Sequence, residues 1–279
     1  MSTRPTAIGT MLLLLTSLAA ATETAPRRVV SVNLCSDQLL LLLADPPQVA
    51  SVSHLATQPA SSFVAEQAAR YPLNRARAEE IIRFQPDLIL ITPHTNPRLR
   101  TTLEQLGYPL HRLSLGNRLE DIISDIRKLA ARLGQVSRGE SLIARMQRRL
   151  QPALPDSGKP SPTAIFYQPR GYTSGSGTLQ DEALRLAGWN NLAARHGVEG
   201  YAPVPLEELL LWQPETLFTS SYAPTGDSLA ERQLRHPALK RLLAQRPLRE
   251  IPYKYWICPG PMLVEAVALL REAREGADR

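Results

Sequence analysis

Two cysteines, Cys35 and Cys258, and a scatter of histidines and loop aromatics hold most of the chemistry this 279-residue chain offers. Their spacing excludes more than it suggests. No Cys-x-x-Cys or His-x3-His pair occurs, and there is no histidine-rich loop, so a bare zinc or manganese site has no ligand set and no metal site is assigned. The run Ser174-Gly175-Ser176-Gly177 lacks the flanking glycines of a nucleophile elbow. It also lacks the Gly-Lys-Ser/Thr of a phosphate loop. Its glycines are expected to let the chain turn into a helix at Leu179. Recognition is left as the available chemistry: aromatic faces for stacking, and a guanidinium for pairing with oxygen anions.

The elements that must position these groups alternate. Short apolar runs at Val29–Val32, Val49–Val52 and Leu88–Ile91 read as buried strands. Helical patterns lie between and after them, at Gln38–Ala44 and Arg98–Leu106, with Asn33 to Asp37 as a polar turn. From Leu119 to Leu133 the apolar residues keep an i, i+3, i+4 rhythm that stops at Gly134. Ser137 and Glu140 then read as a capping box for a second long helix. The α/β pattern restarts at Ala164–Tyr167, with a helix expected from about Leu179 to Ala187. The fold class is therefore α/β: two Rossmann-like lobes with parallel sheets, joined by a long connecting helix. We divide the chain into an N-terminal lobe (26–136), a connecting helix and linker (137–158) and a C-terminal lobe (159–275). Residues 1–21 read as a secretion signal: Arg4, an apolar stretch through Leu18, then Ala19-Ala20-Ala21 for cleavage. That stretch is too short and too interrupted to span a bilayer, and it implies export to the periplasm.

Basic residues outnumber acidic ones by 32 to 26, a net charge of +6 that falls to +5 once Arg4 is removed. This balance suits anionic ligands. The arginines are dispersed over the chain, so nucleic acid is not an expected partner. An internal echo is more informative. Ala78-Glu79-Glu80-Ile81-Ile82-Arg83-Phe84-Gln85-Pro86-Asp87 and Leu206-Glu207-Glu208-Leu209-Leu210-Leu211-Trp212-Gln213-Pro214-Glu215 follow one template, on either side of the predicted bridge.

With Arg28-Val29-Val30-Ser31 opening the first strand, Thr173-Ser174-Gly175 before the later helix, Gly188 and Asn191 after it, and Pro261-Met262-Leu263 opening the last helix, the chain resembles the class III periplasmic binding proteins of ABC importers. The resemblance runs from Arg28 to Glu272. It implies a periplasmic component that captures a metal chelate, either a ferric siderophore or a cobalamin-type corrinoid, in the cleft between lobes. It also implies delivery to the membrane permease and its ATPase through Glu79 and Glu207, no catalysis, no cofactor beyond the ligand, and a monomer. Haem or bare metal is the alternative ligand on the same fold; a periplasmic ligand sensor or a hydrolase is a remoter alternative.

Ligands of open α/β sheets sit beyond the carboxyl ends of strands. That rule nominates Asn33, Cys35, His54 and His94 in the first lobe, and Tyr167, Arg170, Tyr172, Trp256 and Cys258 in the second. The resemblance adds Tyr201, at a position where cobalamin-binding members carry an aromatic contact. The chain departs from those members at Leu73, where an aromatic is expected, and at Cys258, where an arginine is. The cysteines fall in loops of opposite lobes, and disulfide, thiolate ligand and ordinary burial all remain open for them.

Overall fold

The computed structural model describes residues 24–151, 160–220 and 248–277. The signal-like segment 1–21 and most of the linker after Gln151 lie outside the described residues. The first lobe runs β1 (Val29–Ser31), α1 (Leu34–Leu43), β2 (Val49–Ser53), α2 (Ala65–Ala68), β3 (Leu73–Asn74), α3 (Ala78–Arg83), β4 (Leu88–Ile91), α4 (Pro97–Gln105), β5 (Leu110–Arg112), α5 (Leu119–Arg132). Then comes α6 (Val136–Leu150). The second lobe runs β6 (Thr163–Phe166), β7 (Tyr172–Ser174), α7 (Leu179–Ala187), β8 (Asn190–Asn191), α8 (Leu192–Arg195), β9 (Tyr201–Pro203), α9 (Leu206–Trp212), β10 (Thr216–Thr219), β11 (Leu248–Glu250) and α10 (Leu263–Ala277).

The first sheet is parallel, in the order β3-β2-β1-β4-β5. The second, read as β8-β6-β10-β11, repeats the β2-β1-β4-β5 part of that order and is also parallel. Strands β1 and β4 are buried at every residue, as expected where helices cover both faces. The echo in sequence is an echo in contacts. Gln85 and Gln213 end their helices in the left-handed region, at φ +46° and +49°. A proline that cannot continue the helix follows each. The next acid then hooks the start of the neighbouring strand. Asp87 accepts from the backbone N–H of Arg27 (2.7 Å) and Arg28 (2.9 Å), and Glu215 accepts from the N–H and hydroxyl of Thr163, each at 3.0 Å.

Two boundaries differ from the sequence reading. Helix α1 begins at Leu34 rather than Gln38, because Asn33 Oδ1 accepts from the N–H groups of Cys35 and Ser36, both at 3.1 Å. What read as a polar turn is thus a capped first turn. Ser137 caps nothing, because α6 starts at Val136 after Gln135. Glu140 instead pairs with Arg127 of α5 at 2.7 Å.

Helix α6 lies along α5, closely enough that a Cβ on Gly139 would fall 2.5 Å from that of Ala130. Its far end reaches the second lobe. There Arg149 pairs with Glu265, and the Arg271 guanidinium donates to the carbonyls of Arg149, Leu150 and Gln151. Accordingly one core runs from Val29 through Met146 to Ala273 and includes both lobes, with a smaller cluster attached in each.

Candidate ligand-binding cleft

The carboxyl ends of β6 and β10 open into a hollow of about 340 Å³. Two neighbouring antiparallel strands, β7 and β9, form one wall. Ser174 pairs with Tyr201 across them, so Tyr201 and Tyr172 lie diagonally on one face. Both residues are exposed, at 58% and 45%. The Tyr201 hydroxyl donates to Gln180 Oε1 at 2.7 Å, which fixes its ring against the first turn of α7. Gln168, Ser220 and Tyr253 add polar groups to the lining. A flat ring could rest on this surface with hydrogen-bonding groups at its margin.

A larger hollow, about 1080 Å³, lies beside the segment 57–71, with Lys254 contributed from the other lobe. Its lining includes Leu42 near the end of α1 and Pro46 ahead of β2, which belong to the amino ends of the strands. The smaller hollow lies where the carboxyl ends of β6 and β10 converge, and its lining comes from the second lobe.

Several nominated residues are otherwise occupied. Tyr167 is fully buried: it continues the alternation of β6, so that with Ile165 it packs into the second lobe's satellite cluster. Trp256, 2% exposed, packs edge-on against Phe166 at 4.5 Å and donates its Nε1–H to Ser220 Oγ at 3.0 Å. It is a floor beneath the hollow rather than a stacking face. Asn33 is engaged as a helix cap, with its amide donating to Thr92 Oγ1 at 3.0 Å. His54 and His94 are exposed on separate loops of the first lobe, and Arg170 is exposed at a left-handed turn with φ +63°. Among the described residues, no three His, Cys, Asp or Glu side chains are grouped to hold a metal ion.

Cys35 and Cys258 form a disulfide, which excludes the thiolate reading. Among the described residues it closes one of two loop crossings between the lobes, apart from the contacts of α6. The loop after β11 reaches the first turn of α1, where Cys258 bonds Cys35 and Tyr255 meets Phe63 edge-on at 6.2 Å. The loop after β5 reaches the first turn of α7. There the Asn117 amide donates to Gly177 O at 2.9 Å, and the Leu119 N–H donates to Glu182 Oε1 at 3.1 Å. Burial works against ionisation of Glu182, but Arg185 and the Leu119 N–H outweigh it and hold its carboxyl below the usual range. The sequence raised the disulfide as one of three possibilities, but it signalled neither Gln180 nor the Asn117 crossing, because each depends on a partner at least 21 residues away.

Comparison with known proteins agrees with this fold. Residues 29–247 match the family described as periplasmic binding protein, which covers most of the chain and reaches into both lobes. The chain is a periplasmic binding protein. The Cobalamin-binding protein of Halobacterium salinarum is 23% identical over 91% of this chain and 71% of its own length. The Vitamin B12-binding protein of Vibrio parahaemolyticus is 26% identical over 82% of this chain and 83% of its own. Among solved structures, a periplasmic haem-binding protein from Pseudomonas aeruginosa superposes with a TM-score of 0.72 at 25% identity, covering 89% of this chain and 92% of its own. The periplasmic vitamin B12 binding protein of Vibrio cholerae gives 0.68 at 21%, covering 91% and 99%.

In this periplasmic binding protein the two acidic pairs open α3 and α9. Glu79 and Glu207 are exposed, whereas Glu80 is drawn back to accept from the Arg75 N–H at 2.6 Å. Helix-dipole complementarity alone accounts for an acid at either place. Of the first-lobe pair, then, Glu79 is the one left exposed.

Proposed function

We propose that this periplasmic binding protein captures a flat, metal-centred macrocycle of the corrinoid or haem type and hands it to an ABC permease through Glu79 and Glu207. The observation that carries the reading is the pair of exposed tyrosines, Tyr172 and Tyr201, on one face beside the hollow at the strand ends. Stacking on two rings suits a macrocycle better than a compact hydroxamate chelate. The names of the curated relatives support the corrinoid, and the Pseudomonas aeruginosa structure supports haem. Export by a cleaved leader ending near Ala21 completes the reading.

The test is a titration of the mature protein with cyanocobalamin, cobinamide, hemin, a ferric hydroxamate and a ferric catecholate, read by tryptophan fluorescence and ligand absorbance. Saturable one-to-one binding of a macrocycle is expected. Binding of an open-chain chelate alone would replace the macrocycle with a siderophore, and silence across the panel from folded protein would overturn the chelate reading. For docking, the double variant Glu79→Arg/Glu207→Arg should abolish uptake and leave binding unchanged; uptake that survives sinks that assignment.

A further inference from the structure

The two crossings between the lobes are equivalent in position and unequal in kind. In the repeated topology, β5 corresponds to β11 and α1 to α7, so each lobe sends the loop after its last sheet strand to the first turn of the other's leading helix. One crossing is a covalent bond, Cys35 to Cys258. The other rests on hydrogen bonds from Asn117 and Leu119. Part of the loop Ile251–Cys258 also lines the ligand hollow: Tyr253, Trp256 and Ile257 belong to it. Its bridge end is buried, with Cys258 1% exposed.

Resting on the capture function proposed above, we propose that the Cys35–Cys258 bridge is a fixed pivot: it positions the ligand-lining loop against the first lobe, and the cleft opens by parting of the hydrogen-bonded crossing at Asn117. The hydrogen bonds of Asn117 and Leu119, one to a carbonyl and one to the Glu182 carboxylate, can break and reform, whereas the disulfide holds its two segments together throughout. Cys35 and Cys258 are thus positioning residues for binding, acting through Tyr253 and Trp256.

The experiment compares four forms of the mature protein: oxidised, reduced with a phosphine, Cys35→Ser/Cys258→Ser, and oxidised Asn117→Ala. Each is followed by hydrogen exchange without ligand, and by stopped-flow binding of whichever of cyanocobalamin or hemin the parent binds. Opening the bridge should raise exchange across 251–258 and speed dissociation about tenfold. Asn117→Ala should raise exchange at 114–119 and 176–182, leave 251–258 unchanged, and speed association and dissociation together. Equal dissociation rates in oxidised and reduced protein, with the fold intact, overturn the proposal. If the double serine variant does not fold, Asn117→Ala decides the matter: exchange rising equally at both crossings rejects a pivot. Failure of the parent to bind either macrocycle defeats the capture reading instead, and the exchange comparison still tests the pivot.

Discussion

Asp37 is the residue whose surroundings depart furthest from its chemistry. It sits in the first turn of α1, fully buried, accepting from the Ser53 N–H at 3.0 Å and the Ser53 hydroxyl at 2.5 Å. Burial pushes its pKa up from 3.8 to about 7, against the opposing hydrogen bonds from Ser31 and Ser53. A carboxyl raised in the folded state binds its proton more tightly there than in the unfolded chain, so its penalty on stability grows as pH rises from about 4 to about 7. His111, depressed mainly by burial, acts in the opposite sense near its ordinary pKa, so parent and variant must be compared at each pH. Asp37→Asn should be the more stable protein at pH 8, by on the order of 3 kcal/mol, and nearly equal to the parent at pH 4. Urea melts at the two pH values test this, and parallel profiles would refute it. At the site itself, Tyr201→Ala should weaken macrocycle binding about tenfold, while Tyr201→Phe, which keeps the ring and loses only the Gln180 hydrogen bond, should weaken it far less.

At the scale of elements, the run Ser174-Gly175-Ser176-Gly177 is a packing solution. A Cβ on Gly175 would stand 2.0 Å from the carbonyl oxygen of Val198, while Gly177, at φ +76°, meets nothing within 4 Å. Gly175→Ala should therefore cost about 1–3 kcal/mol, and Gly177→Ala about 1 kcal/mol through backbone strain alone. Thermal melts that rank them in the reverse order would refute this account. Ser137→Ala should be nearly silent, since Ser137 caps no helix. The contrast marks what was legible in the sequence. Helix α7 lies about where the sequence put it, and the structure shows Thr178 capping its start and Gly188, at φ +82°, ending it. The Gln-Pro-acid echo was readable, since proline stops a helix locally. Asn33 was misplaced, because Asn serves turns and caps alike, and only the backbone shows which. Tyr167 was nominated as a contact because an aromatic after a strand looks the same whether it faces a ligand or a core. The Asp37–Ser53 contact joins different elements and leaves no local mark.

For the whole molecule, the lobes behave as one body more than their repeated topology suggests. A single core passes through α6 and α10, so each lobe depends on the other for part of its buried surface. The disulfide encloses a separation of 223 residues. In the chain-entropy description, restraining so long a loop stabilises the fold by on the order of 5 kcal/mol. Reduction should lower the urea midpoint strongly and leave a single cooperative transition. Two separated transitions in the reduced protein would show instead that the lobes are independent and the bridge is their main connection.

The same two cysteines bear on how the molecule matures. With no third thiol in the chain, only one intramolecular pairing exists, so oxidation cannot choose a wrong partner and needs no reshuffling. Cys35 and Cys258 lie 223 residues apart on different lobes, and they meet only when the second lobe has docked on the first. The closed bridge is therefore a certificate that assembly has finished, and gel mobility without reductant would report the fraction of newly made protein that has reached its final form.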